Sequence, residues 1–331
     1  MYTHIFHCSK EDFNLAKEEI LSIIPYDFFM QYNNFIILGV KKTISALKLS
    51  KLVMRLAYTN SVYEILFSSN KTALEEYIRM HNWEKSYEKN YSVRKIALTR
   101  DEINDPKYTE KYLGKLVWEQ LEKPKVELKD AKTKFTFFFF DRIYATKFLT
   151  MTDKTYLERK PHMKKEMHPT SLNPKIARAC INLTGLDKGT ILDPFCGSGG
   201  ILVEAGLMGF DCKGYDLDEI MLKRAKINMD QYEIKKYKLY KKDATKIIDA
   251  YDTIVTDLPY GKNSKLHDKE IMTLYSHFLE SVKTTMAKKT KFVVMLPDFV
   301  GSEILNEFKI KSQFEFYLHK SLSKKVYVLT K

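Results

Sequence analysis

Short apolar runs and amphipathic stretches alternate through the first 152 residues. The runs Tyr2–Cys8, 33–40 (NNFIILGV) and 60–69 (NSVYEILFSS) are brief, rich in β-branched and aromatic residues and bounded by polar ones, which predicts strands. Between them, 11–24 (EDFNLAKEEILSII) and 43–57 (TISALKLSKLVMRLA) place apolar residues at helical spacing. A second α+β pattern follows: helix at 72–83, strand at 91–98, helix at 107–122 and paired strands over 134–151. The run Phe135 to Phe140, broken only by Thr136, has side chains on both faces. Exposed aromatics can stack on single-stranded bases, but a continuous apolar run is the mark of a central strand covered on both sides, and that reading is preferred.

Past residue 168 the rhythm changes. A helix at 168–185 leads into strand 190–193, turn 194–200, helix 201–209, strand 212–216, helix 219–232, strand 238–243 and strand 252–257. Helix 271–287 and strands 291–297, 314–320 and 324–330 complete the chain, the last two close enough for a hairpin. Alternation with short loops builds a parallel sheet whose ligand sits at the carboxyl ends of the strands, here seven strands with one antiparallel. Ten of the twelve glycines fall from residue 185 onward, placing a boundary nearby.

At 331 residues the chain exceeds a single small core. Its formal charge of +13 is dispersed, 27 basic against 21 acidic residues over 1–160 and 28 against 21 over 161–331, which suits contact with a polyanion across a wide surface. Lys132, Lys134, Arg142 and Lys147 flank the paired strands and are candidates for phosphates, each weak alone because most charged residues simply face water. Cys8, Cys180, Cys196 and Cys212 lack CxxC spacing and the eight histidines form no cluster, so no metal site and no disulfide framework is expected. No stretch approaches the length of a membrane span, and a cytoplasmic location is expected.

The sharpest local feature is Asp193-Pro194-Phe195-Cys196-Gly197-Ser198-Gly199-Gly200, which ends a strand and opens a helix. Glycines there let a ligand approach the backbone. The third glycine of a GxGxxG fingerprint is missing, and an acid precedes the loop. A carboxylate would repel a pyrophosphate but suits the sulfonium and ammonium groups of S-adenosylmethionine. Asp216, 23 residues on, ends the second strand, where an acid accepts from ribose hydroxyls. Asp218 is the weaker alternative, since it could merely cap a helix. Asp243 closes the third strand near the place of the adenine edge. Leu217 and Ala244, following two of these acids, complete the candidate cofactor set with Phe195, Cys196, Gly197, Ser198 and Gly199.

The fourth strand ends in Asp257-Leu258-Pro259-Tyr260, a tetrad similar to the (Asp/Asn)-x-Pro-(Tyr/Phe) signature of methyltransferases acting on planar amino nitrogens. Such an amine shares its lone pair with the ring and needs its hydrogens held and one removed. The Asp257 carboxylate and the Leu258 carbonyl are the acceptors, Pro259 fixes the chain and Tyr260 stacks on the base. No catalytic cysteine or lysine-centred set suited to C5 or 2'-hydroxyl methylation is evident.

The stretches RKPHMKKEMHPTSLNPKIARACINL, LDPFCGSGGILVEAGLMG, GYDLD, IVTDLPYG and HKSLSKKVYVLT resemble the THUMP-domain tRNA (guanine-N2) methyltransferases, especially the archaeal enzymes acting at position 10. The likeness is clear over the last half and rests on element order in the first. It implies a ferredoxin-like N-terminal unit over 1–65, a THUMP RNA-binding domain over 66–152, a linker over 153–167 and a Rossmann-like methyltransferase domain over 168–331. It also implies tRNA as partner and Thr170 as a cofactor contact, with Pro169 and Leu172 structural. Leu258 departs from the proline common in that family. Other readings remain: N2-guanine or N6-adenine methylation of another RNA or of DNA, protein-glutamine methylation, or a non-catalytic RNA-binding scaffold.

Overall fold

The computed structural model describes residues 2–40, 44–159, 172–260, 268–319 and 322–331. The chain forms two compact units, one of Met1–Phe13, Pro25–Met54 and Thr59–Thr152, the other of Asn14–Ile24, Arg55–Tyr58 and Asp153–Lys331.

The elements up to Thr152 are β1 (Tyr2–Cys8), α1 (Phe13–Ile23), β2 (Phe28–Tyr32), β3 (Phe35–Gly39), α2 (Ala46–Val53), β4 (Thr59–Ser69), α3 (Leu74–Met80), β5 (Tyr91–Ala97), α4 (Arg100–Ile103), α5 (Glu110–Trp118), β6 (Thr133–Phe139) and β7 (Ile143–Met151). Their strands make one sheet in the order β2-β3-β1-β4-β7-β6-β5, antiparallel except where β5 meets β6. The two α+β patterns read from the sequence thus share a sheet, because β4 gives one edge to β1 and the other to β7. β2 went unnoticed in the sequence since its residues, on the outer edge, are only half buried or exposed and show no clean apolar alternation.

The phenylalanine run divides by parity. Phe135, Phe137 and Phe139 enter one core cluster with Trp83, Tyr91 and Leu113, while Phe138 enters another with Ile5, Ile37 and Tyr144. A strand with both faces covered follows from successive side chains pointing oppositely, so these rings are core and offer no platform for bases. α5 shows the same economy of pattern: Thr109 caps its first turn, accepting from Tyr112 N, and Leu113, Leu116 and Val117 are buried at helical spacing.

The second unit continues with α6 (Pro174–Leu183), β8 (Thr190–Asp193), α7 (Gly200–Leu207), β9 (Asp211–Asp216), α8 (Glu219–Gln231), β10 (Tyr237–Lys241), β11 (Thr253–Asp257), α9 (Asp268–Thr285), β12 (Phe292–Pro297), β13 (Lys309–His319) and β14 (Leu322–Thr330). The sheet order is β10-β9-β8-β11-β12-β14-β13, parallel except for β14, which runs antiparallel to both neighbours. From β8 the chain first builds outward through β9 and β10, then returns to place β11 on the other side. The carboxyl ends of β8 and β11 therefore flank the switch point of the sheet, where ligands bind in such folds.

α1 belongs to this unit through a buried carboxylate. Glu19, with no exposed surface, accepts from Ala57 N at 2.8 Å, Tyr58 N at 2.9 Å and Asn182 Nδ2 at 2.8 Å. Burial lifts its carboxyl above the usual glutamate range, while the two backbone amides, Asn182 and the positive field of Arg178 oppose the lift. Glu19→Ala would strand two buried amides, so a loss of about 3–5 kcal/mol in urea unfolding is expected. A loss under about 1 kcal/mol would show that this network does not hold the helix.

Candidate active site

The glycine loop is built around backbone that only glycine adopts readily. Gly197 and Gly199 have φ of 49° and 81°, and Gly199 serves as N-cap of α7 with no side-chain cap. At Gly197 a Cβ would meet nothing within 4 Å, so the loop faces open space there. At Gly214 it would lie 2.6 Å from Leu202 Cδ1 and 2.9 Å from Cys196 Sγ, so this glycine in β9 supplies the close helix–strand approach that a third loop glycine would otherwise give. Cys196 is buried against that backbone, with its thiol pushed well up by burial, and packs rather than reacts.

Two acids frame the loop. Asp216 accepts from Gly197 N at 2.9 Å through one oxygen and from Asp218 N at 2.9 Å through the other, tying the end of β9 to the loop; burial raises its carboxyl. Asp218 caps α8, accepting from Ile220 N at 2.7 Å. Asp193 is 2% exposed and accepts from Thr256 Oγ1 at 2.7 Å and Phe195 N at 3.2 Å. Burial pushes it up to about 7, and the negative fields of Asp257 and Asp216 add to the shift, so all three acids sense one another or the loop between them.

The tetrad lies one strand away. Leu258 is fully buried by its side chain, and its N–H donates to Met295 O at 3.1 Å, extending the β11–β12 ladder. A proline here could not make that bond, so the departure from the family pattern tightens the turn while leaving the Leu258 backbone carbonyl in the chain. The Tyr275 hydroxyl donates to Pro259 O, fixing the turn from α9. Asp257 itself is gripped by a residue the sequence did not reveal: Lys324 of β14 donates to Oδ1 at 2.7 Å and Oδ2 at 2.5 Å. Lys324 is 2% exposed, and its ammonium lies 4.2 Å from the centre of the Tyr260 ring. One face of Tyr260 is thus taken by a cation. Burial lifts the Asp257 carboxyl above the ordinary aspartate range and Lys324 pulls against that lift.

Nothing in the sequence singled out Lys324. Lys324 sits beside Lys325 and reads as solvated, yet period-two alternation puts it on the face of Val326 and Val328, both buried. Thr256, which ties Asp193 to the strand carrying Asp257, was also unmarked, as a fully buried threonine next to a motif has no local signature.

The remaining candidates are more dispersed. Asp243 stands two residues beyond β10 and accepts from Thr245 N and Oγ1 at 2.9 and 2.8 Å. Ala244 is buried in the core cluster beneath, and Phe195 packs edge-on against Phe278, so the side chains of both face the core. Ser198 is buried and gives its carbonyl to Asn228 Nδ2 at 2.9 Å. Leu217 is 64% exposed, a free apolar surface directly after Asp216. Thr170 and Pro169 lie outside the described residues; Leu172 is buried. In the first unit, Lys132, Lys134 and Lys147 line one concavity with Phe148 and Leu149, alongside Glu88 and Asp130, and Arg142 is not among its lining residues. Among the described residues no group of three or more His, Cys, Asp or Glu is placed to hold a metal, and no helix is long and apolar enough to cross a membrane.

Comparison with known proteins gives this site its context. A family model described as RMKL-like, methyltransferase domain, matches residues 161–307, and a DNA methylase model matches 5–226. The tRNA (guanine(10)-N2)-dimethyltransferase of Methanothermobacter thermautotrophicus is 30% identical over 287 residues, 83% of each chain. The chain belongs to the tRNA (guanine(10)-N2)-dimethyltransferase family. Proteins of the same name from Pyrococcus abyssi and Methanocaldococcus jannaschii are each 31% identical, over 81% and 73% of this chain and 82% and 71% of theirs. Members of this family are methyltransferases, and Asp193, Asp216 and Asp257 each stand at the carboxyl end of their strand, the side on which sheets of this kind bind ligands.

Proposed function

We propose that this chain methylates the exocyclic N2 amine of a guanosine in tRNA, at position 10, using S-adenosylmethionine and giving N2-methyl- or N2,N2-dimethylguanosine. The observation that carries the reading is the placement of Asp257: a carboxylate on a rigid strand tip, tied through Thr256 and Asp193 to the glycine loop.

The residues fit the cofactor. The open space over Gly197 admits it, the carboxylate of Asp193 suits its ammonium group, and Asp216 has acceptor capacity for ribose hydroxyls beyond its two backbone donors. Leu217 supplies apolar cover and Asp243 an acceptor for the base edge. When bound, S-adenosylmethionine supplies an electrophilic methyl carbon on sulfur. Asp257 and the Leu258 carbonyl each accept one N–H of the amine, and the free face of Tyr260 stacks on a guanine turned out of its helix. Asp257 would take up the N–H proton as the amine nitrogen is methylated, the cofactor supplying the methyl carbon and keeping the carbon–sulfur electron pair on sulfur.

Residues 66–152 are proposed as the THUMP domain that holds the tRNA, after a ferredoxin-like unit over 1–65 and before a linker over 153–167; the Lys132, Lys134 and Lys147 concavity favours a phosphate backbone there. Methylation of adenine in DNA is the second reading, favoured by the DNA methylase match, though that match ends 31 residues before Asp257 (257 minus 226).

Methyl-labelled S-adenosylmethionine, offered with a tRNA transcript, the same transcript carrying adenosine at position 10, ribosomal RNA and duplex DNA, tests both. Label is expected only in N2-methylated guanosine of the first transcript. Label in adenine would overturn the substrate, and no label in any nucleic acid would overturn the enzyme.

A further inference from the structure

The strand that carries Lys324 lies across β12 from the catalytic tetrad, yet its ammonium reaches back to the tip of β11. β14 pairs with β12 so that Lys324 stands opposite Pro297, two positions beyond the Met295 that pairs with Asp257. An extended lysine spans that gap, and only an inward-facing position of β14 brings it there. Both carboxylate oxygens of Asp257 receive a hydrogen from it, within 2.7 Å. Burying a lysine this completely is costly unless its charge is matched, and Asp257 is the carboxylate bonded to it.

We infer that Lys324 is a positioning residue that holds Asp257 ionised and fixes which of its lone pairs face the substrate amine. This rests on the reading of Asp257 as the proton acceptor of the amine. A carboxylate has about four lone-pair sites. Lys324 occupies one on each oxygen, so those left to the substrate have fixed directions. The second consequence is electrostatic. Among the described residues, the groups that face Asp257 besides Lys324 are Asp193 on β8, Cys180 on α6 and Tyr275 on α9; none of these is cationic, and Asp193 opposes its charge. Among the described residues, Lys324 is thus the cation in direct contact with it. Without that ammonium, a buried carboxylate takes up a proton in place of remaining charged, and a protonated Asp257 keeps an oxygen that can accept an amine hydrogen bond but cannot remove the proton. The cation over Tyr260 has a related effect, since it reserves one face of the ring and leaves a single stacking surface.

The test compares the full-length protein with Lys324→Met and Lys324→Arg. Calorimetric binding of S-adenosylhomocysteine comes first, because a fold left intact should keep the affinity within about threefold. For Lys324→Met, turnover at pH 7 is expected to fall on the order of 100-fold. The deficit should shrink by up to about tenfold for each pH unit above 7, over a range where the unaltered enzyme is flat, since deprotonation of Asp257 then limits the rate. Lys324→Arg, which keeps the charge, should retain the flat profile. Thermal unfolding without cofactor gives an independent readout. The midpoint of Lys324→Met should fall further behind the unaltered protein as pH rises, because an acid with a raised folded pKa destabilises once the unfolded chain is ionised.

A Lys324→Met enzyme that is equally slow at every pH, or unimpaired, overturns the inference. It does so without touching the role of Asp257, which Asp257→Asn probes separately. Should Lys324→Met fail to fold, the double variant Asp257→Asn, Lys324→Met is expected to fold again, the uncompensated charge being gone; failure of the double variant overturns the pairing as the purpose of the lysine.

Discussion

Replacing Asp257 by Asn is expected to lower turnover by about 10²–10⁴-fold while S-adenosylhomocysteine still binds. The amide keeps an oxygen that can accept one amine hydrogen, but it has no place for the proton that must leave, so the loss falls on the chemical step and not on cofactor binding. Asp257→Ala removes the same function with an added penalty. Lys324, 2% exposed, would be left with no carboxylate at its ammonium, and breaking a buried pair from one side costs about 3–5 kcal/mol. The alanine variant should therefore unfold at markedly lower urea and the asparagine variant less so. Single-turnover methyl transfer measured beside calorimetric binding separates these effects. Turnover within about tenfold of the unaltered enzyme in Asp257→Asn would remove the carboxylate from the mechanism.

Cofactor affinity is expected to depend steeply on pH through Asp193. Its carboxyl is pushed up to about 7 by burial and by the fields of Asp257 and Asp216. The form that suits an ammonium group is the ionised one, so a proton competes with the cofactor below that value. The dissociation constant of S-adenosylhomocysteine, which retains the ammonium, should rise by up to about tenfold for each pH unit below 7 and level off above it. Binding at pH 6 should release a proton, seen as an enthalpy that varies with the ionisation heat of the buffer. Stability without cofactor runs the opposite way. The folded chain binds this proton more tightly than the unfolded chain, so the stabilising contribution is present below the ordinary aspartate range and is lost as pH rises from about 4 to 7. Asp193→Asn should flatten both dependences and weaken binding on the order of 100-fold at pH 8, as a charge-assisted contact is lost. An unchanged affinity in that variant would place the ammonium elsewhere.

Most of the second unit could be read from its residues. Strands and helices alternate there, β12 is a continuous apolar run, and glycine concentrates in the loop after β8, so local pattern and global topology agree. The Asp193–Gly200 loop and the Asp257–Tyr260 tetrad were legible because their chemistry needs neighbours in sequence: an acid at a strand tip, glycines beside it, a proline after an acceptor. What escaped lies far along the chain. Lys324 is 67 residues from Asp257, and only the register of β14 on β12 brings them together. β4 pairs with β7 across some eighty residues, and Glu19 ties α1 to Asn182 at a separation of 163 residues. Strand register and buried polar pairing leave no mark on a hydropathy pattern, which records burial but not the partner. Phe195 and Ala244 show the converse: they adjoin the acids of the site in sequence, while their side chains are spent on packing.

A crystal structure of the protein with S-adenosylhomocysteine and a guanosine-containing fragment of tRNA tests the central claim most directly. The expected result is a guanine N2 within about 3.2 Å of both an Asp257 carboxylate oxygen and the Leu258 carbonyl oxygen, stacked on the face of Tyr260 away from Lys324, with the cofactor sulfur in line behind it. A cofactor seated over Gly197 with both of those acceptors turned from its sulfur would contradict it.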